Sequence, residues 1–95
     1  MSLEWLQPQM RVLVEKLTDD AVLGLTLWGE ARSESIEGIV AVGCVIRNRR
    51  GDTRWPDTFR GVCLQRRQFS CWRPEGGEKN YQRMLEFAGQ LVAPE

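Results

Sequence analysis

Histidine is absent from this chain of 95 residues. With it go the commonest metal ligand, the usual general base near neutral pH, and any Ser/His or Cys/His nucleophile. Cysteine is scarce. Cys44, Cys63 and Cys71 are odd in number and lack C-x-x-C spacing, which argues against a structural zinc site. Cys44 lies in an apolar run and reads as a buried small residue. Cys63 and Cys71 are the candidate pair, but free thiols are the favoured reading for a protein made in the cytosol. Long hydrophobic runs are missing too. The longest, Ile39 to Ile46, is far too short to span a bilayer. The polar, acidic start reads as no export leader, so if the substrate lies outside the cytoplasm something else is expected to deliver the protein there. Net charge is zero, from 13 basic and 13 acidic residues, so bulk charge calls for no polyanionic partner. Repeats, low-complexity tracts and linkers are absent, and residues 1–95 read as one small domain.

What is present is helical periodicity. Leu3, Leu6, Met10, Leu13, Val14 and Leu17 recur at helical spacing, with Pro8 suited to a first turn. Thr18 is a candidate N-cap for a helix over Asp19 to Ala31. Ser33-Glu34-Ser35 breaks the chain before a run from Ile36 to Arg49. Its β-branched residues suit a buried strand, but its length without a turn signal argues for a helix. Apolar on nearly all sides, this run is expected to be the central helix, wrapped by the others. Gly38 and Gly43 would admit close neighbours there. Thr58 or Asp57 is expected to cap a short helix from Phe59 to Leu64. Residues 66–72 read as irregular or briefly extended, and Pro74-Glu75-Gly76-Gly77 as a flexible turn. A last helix runs from Glu78 to Leu91, with Tyr81, Met84, Leu85 and Ala88 on one face. The fold class is therefore mostly α, around a central buried helix, with at most a minor extended segment.

One carboxylate stands out. Glu30 follows Leu27 and Trp28 in the last turn of the second helix. The negative end of the helix dipole and the apolar neighbours both disfavour ionisation there. A carboxylic acid kept protonated near neutral pH is the proton donor that glycoside cleavage needs. A surface glutamate at a helix end is the plainer alternative. The middle of the chain is locally basic. Arg47, Arg49, Arg50, Arg54, Arg60, Arg66, Arg67 and Arg73 face only Asp52 and Asp57, which read as a turn former and a cap.

Five fragments then follow in order. They are Glu30-Ala31-Arg32-x-Glu34, Glu37-Gly38-x-Val40-Ala41-Val42, Val45-Ile46-x-Asn48-Arg49, Pro56-Asp57-Thr58-x-x-Gly61-Val62 and Gln68-Phe69-Ser70-Cys71-Trp72. Together they resemble the SleB-type cell wall hydrolases, the cortex-lytic enzymes, over about Leu25 to Trp72. The resemblance implies a lysozyme-like, mostly helical fold and cleavage of peptidoglycan glycan strands, typically as a lytic transglycosylase. It places the catalytic acid at Glu30. Two departures are visible. Ser33 stands where the family has glycine, and family members usually extend further, so the chain reads as a compact relative or as a C-terminally truncated piece.

On that resemblance Glu30 serves as general acid and then general base. Glu34 is the second carboxylate, either in the cleft or as a clamp on Arg32 or a backbone amide, with the clamp favoured. The candidate substrate-binding residues are Gln68, Phe69, Ser70 and Trp72, with Asn48 and Tyr81; Trp28 is read as core. Asn48 has the competing role of closing the third helix. The arginine-rich segment would meet carboxylates of peptide stems and wall polymers. No metal or cofactor is called for, and no nucleic acid or membrane span is expected. Two rivals remain from the residues themselves. One is a nucleic-acid-binding helical domain using the segment Arg47 to Arg73, with Trp55 and Trp72 interleaved. The other is a non-catalytic interaction module on the same fold.

Overall fold

Capping chemistry sets the helix boundaries. In the computed structural model, which describes residues 3–94, α1 runs Pro8–Glu15 with Pro8 in its first turn. The Thr18 hydroxyl accepts from the Ala21 N–H at 3.1 Å and opens α2, Asp19–Ala31. Ser35 does the same for α3, Ile36–Arg50, accepting from the Gly38 N–H at 3.2 Å. Asp19 and Asp20 sit at the positive end of α2, and Arg47, Arg49 and Arg50 at the negative end of α3, where each sign is favoured. Thr58, not Asp57, caps α4, Phe59–Cys63, accepting from the Gly61 N–H at 2.9 Å. Gly77, at φ 125°, leads into α5, Glu78–Leu91.

The hub is α2, not α3. α2 packs against α3, α4, α5 and the turn at Ser70–Trp72, and α1 packs against α5. The core they share includes Met10, Val14, Val22, Leu25, Val62, Leu64, Trp72, Tyr81, Met84 and Ala88. The expectation of a central buried α3 is therefore corrected. Only Ile46 of α3 is buried, while Ile36, Val40 and Val45 are 77, 57 and 43 % exposed. The cause is that α3's main helix contacts are with α2 and α4, which leaves its outer face without a neighbour. Of its glycines, Gly38 lies under the Glu34 side chain, whereas Gly43 has only ordinary contact with Leu27.

No strand occurs among the described residues. Of the segment expected to be irregular or extended, residues 66–69 are irregular turns and Ser70–Trp72 closes into a 3-10 turn, while the expected flexible turn closes into another at Pro74–Gly76. The two pack on each other through Gly76, where a β-carbon would run into the Ser70 carbonyl. Just upstream, Arg67 adopts the left-handed conformation at φ 68°, which costs about 1 kcal/mol for a residue with a β-carbon.

Arg60 of α4 ties the first half together. Its guanidinium donates to the carbonyls of Val14, at 2.9 Å, and Leu17, and to Asp19 Oδ1 at 3.3 Å. One side chain thus satisfies carbonyls at the end of α1 and an acid at the start of α2. Among the described residues, no helix is long and apolar enough to cross a membrane.

Candidate functional site

Glu30 sits in the last turn of α2, half-buried, and its carboxylate points at the Ser70–Trp72 turn. The Cys71 backbone N–H donates to Glu30 Oε2 at 3.1 Å. This contact depends on the preceding residue. A β-carbon on Gly29 would lie 2.5 Å from Cys71 Cβ, 2.8 Å from Cys71 Sγ and 3.1 Å from Met84 Sδ. Only a bare α-carbon lets the 3-10 turn come close enough for its amide to reach the acid. A carboxylate held by one oxygen on a backbone amide is fixed in direction, and its other oxygen remains available for proton transfer.

The buried side of this turn is held by a small polar network. Trp72 Nε1 donates to Thr26 Oγ1 at 3.2 Å, and that hydroxyl donates to the Val22 carbonyl at 2.8 Å. Both side chains are fully buried, so each hydrogen bond is needed to offset desolvation. Cys63, Cys71 and Cys44 are all free, as the favoured reading expected, though Cys44 is only half-buried. Burial, and then the Glu30 carboxylate beside it, push the Cys71 thiol far up. Burial also raises Cys63. Both are held as neutral thiols and fill space rather than supply a nucleophile.

The remaining candidates divide into exposed side chains and those inside the core. Gln68 and Ser70 are exposed on the segment that carries the Cys71 amide, whereas Phe69 between them, a candidate for substrate binding, is buried in the core cluster. Gln68 Oε1 accepts from Arg49 Nη1 at 3.1 Å, and that guanidinium stacks 4.3 Å from the Trp55 ring and 6.0 Å from Phe69. Trp72 and Tyr81 are 0 and 2 % exposed, so neither ring is a platform for a ligand. The reading of these two as substrate-binding residues is corrected to one of core packing. Burial, then Glu78 and Glu75, raise the Tyr81 phenol, which donates to Gln7 Oε1 at 3.2 Å. Asn48 is exposed on the last turn of α3 and bonds neither Glu30 nor the helix end. Glu34 is exposed and folds onto Gly38. It does not clamp Arg32, whose guanidinium lies 4.8 Å above the Trp28 ring and bonds the Gly29 carbonyl at 3.4 Å.

The arginine-rich segment is partly consumed by the fold. Arg54 pairs with Asp52 at 2.7 Å, Arg60 with Asp19, and Arg50 stacks 4.3 Å from Phe59. Asp52 is the expected turn former, its Oδ1 accepting from the Arg54 N–H at 2.8 Å. A concentrated cationic feature arises elsewhere. Trp28, Arg32, Lys79, Asn80 and Arg83 line a cleft of about 390 Å³ between the end of α2 and the start of α5. Asn80 Nδ2 reaches the Gly29 carbonyl at 3.5 Å across its floor. Trp28 is half-buried, packed against the core and edge-on to Phe87 at 4.9 Å, and its remaining face walls this cleft. Sequence reasoning missed this cleft because its residues lie some fifty positions apart. Glu30 lines neither this cleft nor those at Arg54, Trp55 and Gln65 and beside Trp28 and Phe87. Among the described residues no cluster of three or more metal-ligating side chains occurs.

Comparison with known proteins adds to this geometry. The chain is 42% identical over 52 residues to a spore cortex-lytic enzyme of Oceanobacillus iheyensis. That stretch is 55% of this chain and 19% of the relative, so the chain matches only about a fifth of the relative's length. No solved structure matches. The profile of the cell wall hydrolases matches residues 33–93, beginning just past Glu30 and taking in α3, α4, the Gln68–Trp72 segment and α5. On that match, which spans well over half of its residues, the chain belongs to the cell wall hydrolase family.

Proposed function

We propose that the protein cleaves the glycan strands of peptidoglycan, with Glu30 as general acid and general base. The observation that carries this reading is the orientation of Glu30 by the Cys71 amide, which lies on the segment that exposes Gln68 and Ser70. Family membership and the cortex-lytic relative support the substrate class. Glu30 gives its proton to the glycosidic oxygen after N-acetylmuramic acid as the C1–O bond breaks. The carboxylate then takes the proton of the muramoyl C6 hydroxyl, whose oxygen closes onto C1 to leave a 1,6-anhydro end. Hydrolysis would need a second carboxylate to activate water about 6.5–9.5 Å away. Glu34 turned onto Gly38 favours the route with one carboxylate. On this reading Gln68 and Ser70, both exposed, would bind sugar substituents. Arg32, Lys79 and Arg83 around the cleft on α2 and α5 would attract the carboxylates of peptide stems. The site of action on this reading is the bacterial cell wall.

The test is digestion of purified peptidoglycan followed by mass spectrometry of the released muropeptides. Anhydro-muramoyl ends are expected, and reducing ends would replace the transglycosylase step by hydrolysis. Glu30→Gln keeps an acceptor for the Cys71 amide, so it should fold normally and lose at least about a hundredfold in activity. Full activity in that variant would remove Glu30 from the chemistry.

A further inference from the structure

The cleft between α2 and α5 gathers groups that the acid at Glu30 does not use. Arg32, Lys79 and Arg83 line it, all exposed, and none of them is in an ion pair among the described residues. Among the described residues no acid lines it. Glu78 accepts from Gln82 instead, and Glu86 lies three residues beyond Arg83. Lys79 and Asn80 sit in the first turn of α5, whose positive end adds to the field. Unbalanced positive charge around one cavity calls for an anion.

Two further groups narrow the kind of anion. Asn80 Nδ2 donates to the Gly29 carbonyl, which fixes the orientation of the amide. Its Oδ1 is then a buried acceptor with no donor. Acceptors left in this state are uncommon, and an N–H brought by a ligand would complete this one. Trp28 supplies an apolar wall. Arg32 stands over the Trp28 ring and donates to the same Gly29 carbonyl, so its guanidinium is held at the cleft.

A phosphodiester would bring charge but no N–H. An N-acetylated sugar would bring an N–H but no charge. The last residue of a peptide brings a carboxylate, an amide N–H on the adjoining atom and an apolar side chain together. We propose that this cleft binds a peptide carboxyl terminus, with its carboxylate on Arg32, Lys79 and Arg83, its N–H on Asn80 Oδ1 and its side chain against Trp28. That the peptide is a stem of peptidoglycan rests on the function proposed above; recognition of the terminus does not. Trp28 and Arg32 share one side of α2, about 160° round the helix from Glu30, so a terminus bound here leaves the acid uncovered.

Acetyl-D-alanyl-D-alanine is the probe, titrated into nitrogen-labelled protein. NMR reads the Trp28 indole, the Asn80 side-chain amide and the Lys79 and Arg83 backbone amides. Saturable shifts are expected at these groups. Amidating the probe's carboxyl group should weaken binding at least about tenfold. Replacing its last residue by D-lactate keeps the carboxylate and puts an ester oxygen in place of the N–H. That probe should bind at least about threefold more weakly, and Asn80→Ala should abolish the difference. Lys79→Gln combined with Arg83→Gln, both at exposed positions, should weaken the dipeptide at least about tenfold. Absence of saturable shifts overturns the proposal. So does an amidated probe bound equally, a lactate probe bound equally by the wild type, or inorganic phosphate bound as tightly as the dipeptide. The titration involves no glycan and no turnover. A failed titration beside normal muropeptide release removes this site alone, and normal binding without glycan cleavage removes only the proposed function.

Discussion

Two glycines on α2 should respond in opposite directions to the same substitution. Gly24 is exposed, and a β-carbon built on it meets nothing within 4 Å. Gly24→Ala therefore removes backbone freedom from the unfolded chain without a clash, and should stabilise by about 0.5–1 kcal/mol. Gly29→Ala gains the same helix propensity, but its methyl group would sit 2.5 Å from Cys71 Cβ and 3.1 Å from Met84 Sδ. Overpacking of this kind costs about 1–3 kcal/mol. The displaced turn would also lose the amide bond to Glu30, about 1.5–3 kcal/mol for a charged acceptor. The net loss should be about 1.5–5.5 kcal/mol, accompanied, on the proposed function, by loss of glycan cleavage. Urea unfolding followed by circular dichroism and tryptophan fluorescence gives the stabilities. Cys71→Gly removes both clashing atoms, so the pair Gly29→Ala with Cys71→Gly should show a coupling of at least about 1 kcal/mol. Equal effects at Gly24 and Gly29, or strict additivity with Cys71→Gly, would refute the claim that close approach at Gly29 positions the acid.

Other consequences are as direct. Thr26→Val keeps the shape but leaves Trp72 Nε1 buried without an acceptor, and should cost about 1–3 kcal/mol in urea unfolding, with a changed near-ultraviolet spectrum. Arg60→Met should destabilise by about 2–4 kcal/mol, and Arg60→Lys should recover little, because one ammonium cannot span the Val14 and Leu17 carbonyls and Asp19. The buried Cys71 and Cys63 thiols stay protonated in the folded protein but ionise in the unfolded chain above about pH 9.0. Above that pH the unfolded state binds fewer protons, so stability present at neutral pH should fall as pH rises, and Cys71→Ala should flatten the slope. Cys44 alone should react quickly with a thiol reagent in the native state.

The helices were legible because their signals are local. Thr18, Ser35 and Thr58 each bond an amide three residues on, and such caps can be read from adjacent positions. The amphipathic face of α5 was equally plain, since Tyr81, Met84, Leu85 and Ala88 all go inside. α3 failed for the opposite reason. Val40 and Val45 declare themselves apolar, but whether they are covered depends on how many other elements reach them. Trp72 and Tyr81 failed in the same way, as aromatic residues that serve a core or a binding surface equally well until burial is known.

Residue order alone established a small, mainly helical domain with a singular acid at the end of its second helix. It also placed the five fragments that carry the family resemblance. Tertiary structure decided what holds that acid. The Cys71 amide lies forty-one residues away, and it arrives only because Gly29 lacks a side chain and Thr26 anchors Trp72 beneath the turn. It also decided that α2 rather than α3 is surrounded, and that Arg32, Lys79 and Arg83 converge on one cleft. Hydrogen bonds across three or four residues are encoded in neighbouring letters. Contacts across forty or more depend on how whole helices pack, and no stretch of the chain specifies that by itself.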